Sequence, residues 1–390
     1  MEEILFRYNP WWEGDSGLSG VHDRPFMIKR MMRYESYRHI VILTGLRRIG
    51  KTTLMKLFIQ YLIENQRYEP KHILYVSVDD YVLSKYTIID IVERYRKIHR
   101  ISSSQKIILF LDEVTYQKDF EIQLKTIVDS YNTKIYASSS SAGFIKRGKK
   151  YLTGRNIVIE VAPLDFEEYL QFRGIKLKRS DEHLVDEYFE EYLEYGGVPE
   201  YVLTRDGEVI KELIDDIILK DIVAEHGIRD PQVIKDYFLL LMERAGKQIS
   251  INKVANILDI SPDSSRRYLD LFTDTFLISL LSRCGKTNER ILSKKKIYCC
   301  DTGIRTFYTG LRDKGSLFEN YVYIRLKDND LCYLYKDGIE IDFFTRKGEL
   351  IEVKYHSKVT EKQLKLFNSV RAKKRFIITS YNDFLELNLS

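Results

Sequence analysis

The stretch HIVILTGLRRIGKTTLMKLFIQYLIEN, residues 39–65, decides the fold. Its first six residues, 39–44, are short, β-branched and apolar on both faces, as strands of a helix-covered parallel sheet are. Gly45-Leu-Arg-Arg-Ile-Gly50-Lys51-Thr52 then fits G-x-x-x-x-G-K-[ST] in full. From Thr52 on, Leu54, Leu57, Phe58, Tyr61 and Leu62 recur at helical spacing. In that order of strand, loop and helix, backbone N–H groups between Gly45 and Gly50 and the positive helix end surround a β-phosphate. Lys51 reaches the β/γ oxygens, Thr52 ligates Mg²⁺ through its hydroxyl, and Thr53 meets the α-phosphate. Without a nucleotide partner the lysine would be a misplaced cation at a positive helix end. Arg47 and Arg48 inside the loop have three readings: phosphate, a carboxylate of a partner domain, or DNA.

Outward from this loop, HILYVSV (72–78), KIILFL (106–111), KIYAS (134–138) and NIVIEV (156–161) have the same buried-strand character and alternate with amphipathic stretches. That alternation predicts an α/β parallel sheet. Asp112 and Glu113 end the third run. Two acids at the tip of six apolar residues are costly unless a cation or solvent faces them. Asp112 is the expected Mg²⁺ carboxylate and Glu113 the group that polarises the attacking water. The serine run Ser138–Ser141 follows the next strand, which is expected between the P-loop and Asp112 strands, so that Ser138 or Ser139 meets the γ-phosphate or its water. Arg155 is the candidate for charge stabilisation, in cis or toward a neighbouring subunit.

From about 165 to 285 the pattern is almost wholly helical, broken by Gly-Gly-Val-Pro at 196–199 and by Gly246. The segment 250–281 reads as two helices joined at Ile260–Asp263, with Val254, Ile257 and Leu258 facing Leu269, Phe272 and Phe276: a helix-turn-helix, in winged form. Ser264, Ser265, Arg266 and Arg267 then stand where such helices meet base edges. After about 286 come a helix near 316–327, strands near 331–336, 339–345 and 350–355, a helix at 361–370 and a strand at 375–379. On these, Asp342 and Glu352-Val-Lys354 form a D…E-x-K arrangement. Residues two apart on a strand share a face, so Glu352 and Lys354 lie together. Asp342 and Glu352, with Glu319 from the helix, are candidates for a second Mg²⁺ or Mn²⁺, with Lys354 orienting or helping to deprotonate the water or neutralising charge that builds on the phosphate. The competing reading is a solvated strand face.

The chain has 390 residues with 31% charged and 44% hydrophobic, an ordinary globular mix that argues for two or three domains and against long disorder. A net charge of +5 permits a nucleic-acid partner without demanding one. No run is apolar enough for a membrane helix, and the opening MEEILFRYNPWWEG lacks the apolar core of a secretory signal. Cys284, Cys299, Cys300 and Cys332 have no metal-type spacing and read as reduced thiols of a cytoplasmic protein. Basic clusters at Lys146-Arg147-Lys149-Lys150, Lys294–Lys296 and Arg371-Lys373-Lys374-Arg375 are either phosphate-backbone contacts or solvated loops.

GLRRIGKTTL, LFLDEV, the serine run before LTGR, APLDFEEYL and YGGVPEYV together resemble a group of prokaryotic AAA-type P-loop ATPases, common in archaea. NPWWEG is similar to their N-terminal segment. The sequence departs at Ser138-Ser139, where the group has Gly-Ser, and at Thr115, where it has Gln. The resemblance implies an α/β fold with an AAA-type sheet over 1–170, a helical lid and winged helix-turn-helix over 171–285, and a restriction-endonuclease-like α+β domain over 286–390. It implies binding of ATP with Mg²⁺ and its hydrolysis to ADP. DNA is the expected macromolecular partner. A homo-oligomer is compatible with this reading, and a ring would need an arginine in trans.

Overall fold

The computed structural model describes residues 1–15, 18, 20–140 and 154–387. The basic cluster 146–150 and the serine at 141 lie outside the described residues. The chain divides into two compact units, 1–162 and 163–390.

In the first unit β1 (Ile40–Thr44), β2 (Ile73–Ser77), β3 (Ile107–Asp112), β4 (Thr133–Ser139) and β5 (Asn156–Glu160) form one sheet in the order β2-β3-β4-β1-β5. All its pairings are parallel. Every residue of β1 and β3 is buried, which is why these runs are apolar on both faces. Helices Lys51–Glu64, Ile88–His99 and Phe120–Ser130 connect the strands. A core of Leu74, Val76, Ile91, Tyr95, Leu109, Leu124 and their neighbours fills one side of the sheet.

The N-terminal NPWW segment has a specific task at the sheet edge. The Asn9 amide donates to the Tyr75 carbonyl at 2.9 Å and accepts from the Tyr75 N–H at 2.6 Å, as a neighbouring strand would. Both indole N–H groups, of Trp11 and Trp12, donate to the Ile73 carbonyl. The outer edge of β2, an open invitation to further strand pairing, is thereby occupied.

The second unit begins with helices, among them Phe166–Phe172, Val185–Tyr195, Pro199–Thr204, Gly207–Asp216 and Pro231–Glu243. β6 (Gln248–Ile249), helix Ile251–Ile257, helix Pro262–Asp274, β7 (Ile278–Leu281) and β8 (Lys295–Cys299) follow, with the strands antiparallel in the order β6-β8-β7. The two helices meet through Val254, Leu269 and Phe272 as expected, but Ile257 is half exposed and Ala255 is buried in its stead. The helix ends at Ile257 with Leu258 as its C-cap, short of the expected joint at Ile260–Asp263. Residue 285 lies in the connection between the paired strands β7 and β8.

Helix Lys314–Leu326, β9 (Cys332–Lys336), β10 (Ile339–Phe344), β11 (Glu349–Val353), helix Glu361–Ser369 and β12 (Lys374–Ile378) complete the chain, with a last short helix, Tyr381–Leu385, that the sequence pattern did not indicate. The sheet order is β12-β11-β10-β9, antiparallel except for the parallel β11–β12 pair. Residues 282–284 run beside the start of β9, and Cys284 and Cys332 form a disulfide with a Cα–Cα distance of 5.0 Å. The expectation of four reduced thiols is corrected for this pair: the two cysteines are 48 residues apart, and only strand register makes them neighbours. Cys299 and Cys300 remain thiols.

Candidate functional site

β1 delivers the chain to the P-loop at the carboxyl end of the parallel sheet, where ligands of open α/β folds bind. Gly45 sits at φ 140°, and a Cβ there would lie 2.5 Å from the Val161 carbonyl oxygen of the segment after β5. Only glycine allows this approach. Gly50, at φ 90°, is the N-cap of helix Lys51–Glu64 and has no side chain to satisfy the first-turn N–H groups, which suits an anion at that end. Lys51 is buried, and its ammonium donates to the carbonyls of Gly45 (3.1 Å) and Leu46 (2.9 Å). The lysine thus lies along the inside of the loop. Thr52 and Thr53 are exposed at the helix start, and Arg48, at φ 57°, is exposed on the loop.

The structure brings Asp112 to this loop. It is 2% exposed at the tip of β3, and the Thr52 hydroxyl donates to its Oδ2 at 2.6 Å. β4 lies between β1 and β3, as expected, and carries Ser138 to the Asp112 carboxylate. The Ser138 hydroxyl also accepts from the Glu113 N–H at 2.9 Å. Glu113 stands in the left-handed region at φ 52°, which turns it out of the strand. Its carboxylate accepts from the Ser140 hydroxyl at 2.5 Å and from the Ser140 N–H at 3.3 Å.

Sequence reasoning missed two of these residues. Tyr75 of β2 donates its phenol to Asp112 Oδ2 at 2.8 Å, and burial, then the adjacent carboxylate, pushes that phenol well above its ordinary range. Nothing local marks Tyr75; it lies on the face of Ser77, whose register partner is Asp112. Ser140 is the second, and the serine run was its signal.

Arg155 is a correction. It precedes β5, its carbonyl accepts from the Ile40 N–H, and its guanidinium pairs with Asp129 at 2.7 Å on the surface. β5 runs from Asn156 beside Ile40 to Glu160 beside Thr44, so Arg155 is at the amino end of the sheet, about 13 Å of strand from the P-loop end. It does not reach the phosphate site of its own chain.

In the second unit, the structure gathers the four expected residues of the D…E-x-K arrangement and adds others. Glu352 accepts from the Asp342 N–H and Asp342 from the Val353 N–H, so the carboxylates are tied across β10 and β11. Lys354 pairs with Glu352 at 2.7 Å, as residues sharing a face should. Gln363 also donates to Glu352, which is wholly buried. Lys296, expected in an exposed basic cluster, is instead 0% exposed, and its ammonium meets Glu319 (2.6 Å), Glu340 (2.6 Å) and Asp342 (3.2 Å). Burial disfavours its charge, but the surrounding anions hold it well above the usual lysine range. Burial and then the charge of Asp342 push Glu319 up to about 7 and Glu352 up to about 8. The residues therefore do not fit the second metal expected from the sequence. A cation already stands among them, and among the described residues no group of three or more His, Cys, Asp or Glu is arranged to hold an ion.

Ser265, a candidate for base contacts, is also corrected: it is buried, hydrogen-bonded to Tyr237 and to the Ile251 carbonyl. Arg266 and Arg267 are exposed on the same helix. Among the described residues no helix is long and apolar enough to cross a membrane.

Residues 186–315 match a family described as a domain of unknown function. An uncharacterized protein of Methanocaldococcus jannaschii, MJ1544, is 29% identical over 346 residues, covering 83% of this chain and 76% of its own. An uncharacterized protein of Haemophilus influenzae is 28% identical over 345 residues, covering 83% of this chain and 84% of its own. A chain of the Saccharomyces cerevisiae Hsp104:casein complex is similar over 65% of this chain and 50% of its own, with 18% identity and a TM-score of 0.35, too weak a likeness to argue from. Residues 37–170, which hold the P-loop, Asp112 and Glu113, match the family described as AAA domain.

Proposed function

We propose that the first unit binds ATP with Mg²⁺ and hydrolyses it to ADP and phosphate. The observation that carries this reading is the 2.6 Å hydrogen bond from Thr52 to Asp112, which joins the start of the P-loop helix to the end of β3. In this reading Thr52 and Asp112 hold the Mg²⁺, which neutralises charge on the β- and γ-phosphates. Lys51 exchanges its two loop carbonyls for phosphate oxygens. The backbone from Gly45 to Gly50, Arg48 and Thr53 line the remaining phosphate groups. Glu113 orients the water and takes its proton. Lys51→Ala and Asp112→Asn are expected to abolish steady-state turnover; undiminished hydrolysis by purified Lys51→Ala protein ends the reading.

We read β6 to β8 with their helices as a winged helix and 314–378 as an αβββαβ domain of the restriction-endonuclease type, together coupling hydrolysis to DNA. The strand orders β6-β8-β7 and β12-β11-β10-β9 support the two assignments. Exposed Arg266, Arg267 and the 371–375 cluster offer charge for phosphate contacts. Hydrolysis titrated with single-stranded, duplex and branched DNA at low and moderate salt tests this, and an unchanged rate throughout removes it.

One observation favours a second reading, an ATP-operated switch with little turnover. The Glu113 carboxylate is held twice by Ser140, which competes with a water for the same oxygens. Single-turnover measurements separate the readings, because a switch gives at most one burst.

A further inference from the structure

We propose that the Lys296 ammonium is the resident cation of the acidic pocket in the second unit, so that this pocket takes no divalent metal and the C-terminal domain cleaves no phosphodiester. An ammonium has three donors and no acceptor. Lys296, on β8, has three carboxylates within 3.2 Å, from two other elements: Glu319 of the helix Lys314–Leu326, and Glu340 and Asp342 of β10. Its ammonium donates to Glu319 and Asp342 and is ion-paired with Glu340.

The neighbours are committed in the same way. The Glu319 Oε1 also accepts from the Tyr298 phenol at 2.6 Å, and Glu340 Oε2 accepts from Gln248 of β6 at 2.8 Å. Asp342 Oδ2 holds the Val353 N–H, and Glu352 holds Lys354 and Gln363. A divalent ion would need these oxygens at roughly 2.0–2.6 Å in a shell of six or more. The tethered ammonium stands between them at ordinary hydrogen-bond distances. A phosphodiester would also have to reach the same oxygens, yet Lys296 and Glu352 are 0% exposed. The strand that brings Lys296 belongs to the β6-β8-β7 sheet, so the wing-like hairpin closes the acidic face of the other sheet.

The test measures Mn²⁺ binding to the nucleotide-free full chain at pH 8, by electron paramagnetic resonance of the free ion. Wild type and Asp342→Asn are expected to bind Mn²⁺ equally, because neither uses the pocket. Lys296→Met is expected to gain a site at least tenfold tighter, which the additional Asp342→Asn change removes. A wild-type site that Asp342→Asn abolishes overturns the proposal, as does folded Lys296→Met protein that gains none. If Lys296→Met does not fold, equal binding by wild type and Asp342→Asn supports the proposal and unequal binding refutes it.

Discussion

At Ser138 a single hydroxyl donates to the Asp112 carboxylate and accepts from the Glu113 N–H. It fixes the relative orientation of two adjacent acids that the chain direction alone would point to opposite sides of β3. On the proposed reading nucleotide binding rests on the loop backbone and Lys51, so loss of this hydroxyl affects the chemical step more than binding. Ser138→Ala is expected to lower kcat for ATP about tenfold or more while leaving nucleotide affinity within about twofold, by the usual scale of acid–base positioning. Steady-state rates beside a nucleotide-binding titration check it, and lost affinity with an intact rate refutes it. Glu113→Gln removes the base of the proposed reading and is expected to cost about a hundredfold in kcat with binding retained, read in the same two assays. Lys51, Thr52 and Asp112 were legible in the sequence because a short loop and a strand tip fix their positions locally. Tyr75 and Lys296 were not. Tyr75 reaches Asp112 from the neighbouring strand β2, Lys296 reaches Asp342 from a strand of a different sheet, and a lysine in a run of three reads as surface charge until a fold buries it.

Between single residues and the whole chain, the elements of the second unit are interlocked around one buried acid. Asp301 caps helix Thr302–Thr309 through the Ile304 N–H and accepts from the Gly197 N–H at 2.6 Å. Gly303, in the first turn of that helix, lies so close to the end of helix Val185–Tyr195 that a Cβ would sit 2.1 Å from the Tyr195 carbonyl oxygen. The Tyr-Gly-Gly-Val-Pro break seen in the sequence is thus half of a contact whose other half, Cys-Asp-Thr-Gly, stands about 100 residues later. The break was legible and its purpose was not, because a sequence pattern gives periods and stops but no partners. Gly303→Ala is expected to destabilise the second unit by at least about 2 kcal/mol in denaturant unfolding, since backbone and not a flexible side chain blocks the methyl. Asp301 also gives a pH signature. Burial pushes its carboxyl up to about 6 in spite of the backbone N–H groups it accepts from. The folded state then binds the proton more tightly than the unfolded one, so this group's contribution to stability is greatest at low pH and falls as pH rises from about 4 to about 6. Asp301→Asn should flatten that segment of the stability–pH curve; an unchanged slope removes the assignment.

For the molecule as a whole, the strands of the first sheet were readable to within a residue because both faces of each are buried and the helices between them keep a clean period. The division of the chain was less readable, because the helical and α+β stretches after residue 162 share one compact unit although their sequence periods differ. Each unit offers its own handle on stability. The disulfide Cys284–Cys332 closes a loop of 48 residues within the second unit, and loop-closure entropy gives such a link about 4 kcal/mol at most, by its effect on the unfolded chain. A nucleotide that binds only the folded first unit stabilises it by about 2.7 kcal/mol at one hundred times its dissociation constant. Calorimetry of the full chain is therefore expected to respond to the two agents on separate transitions: ATP with Mg²⁺ raises one, and dithiothreitol lowers the other. Assignment follows from variants, since Lys51→Ala should erase the nucleotide response and Cys284→Ser the reductant response, each leaving the other intact. A reductant that lowers the nucleotide-responsive transition, or that shifts nothing, contradicts the placement of the bridge in the second unit.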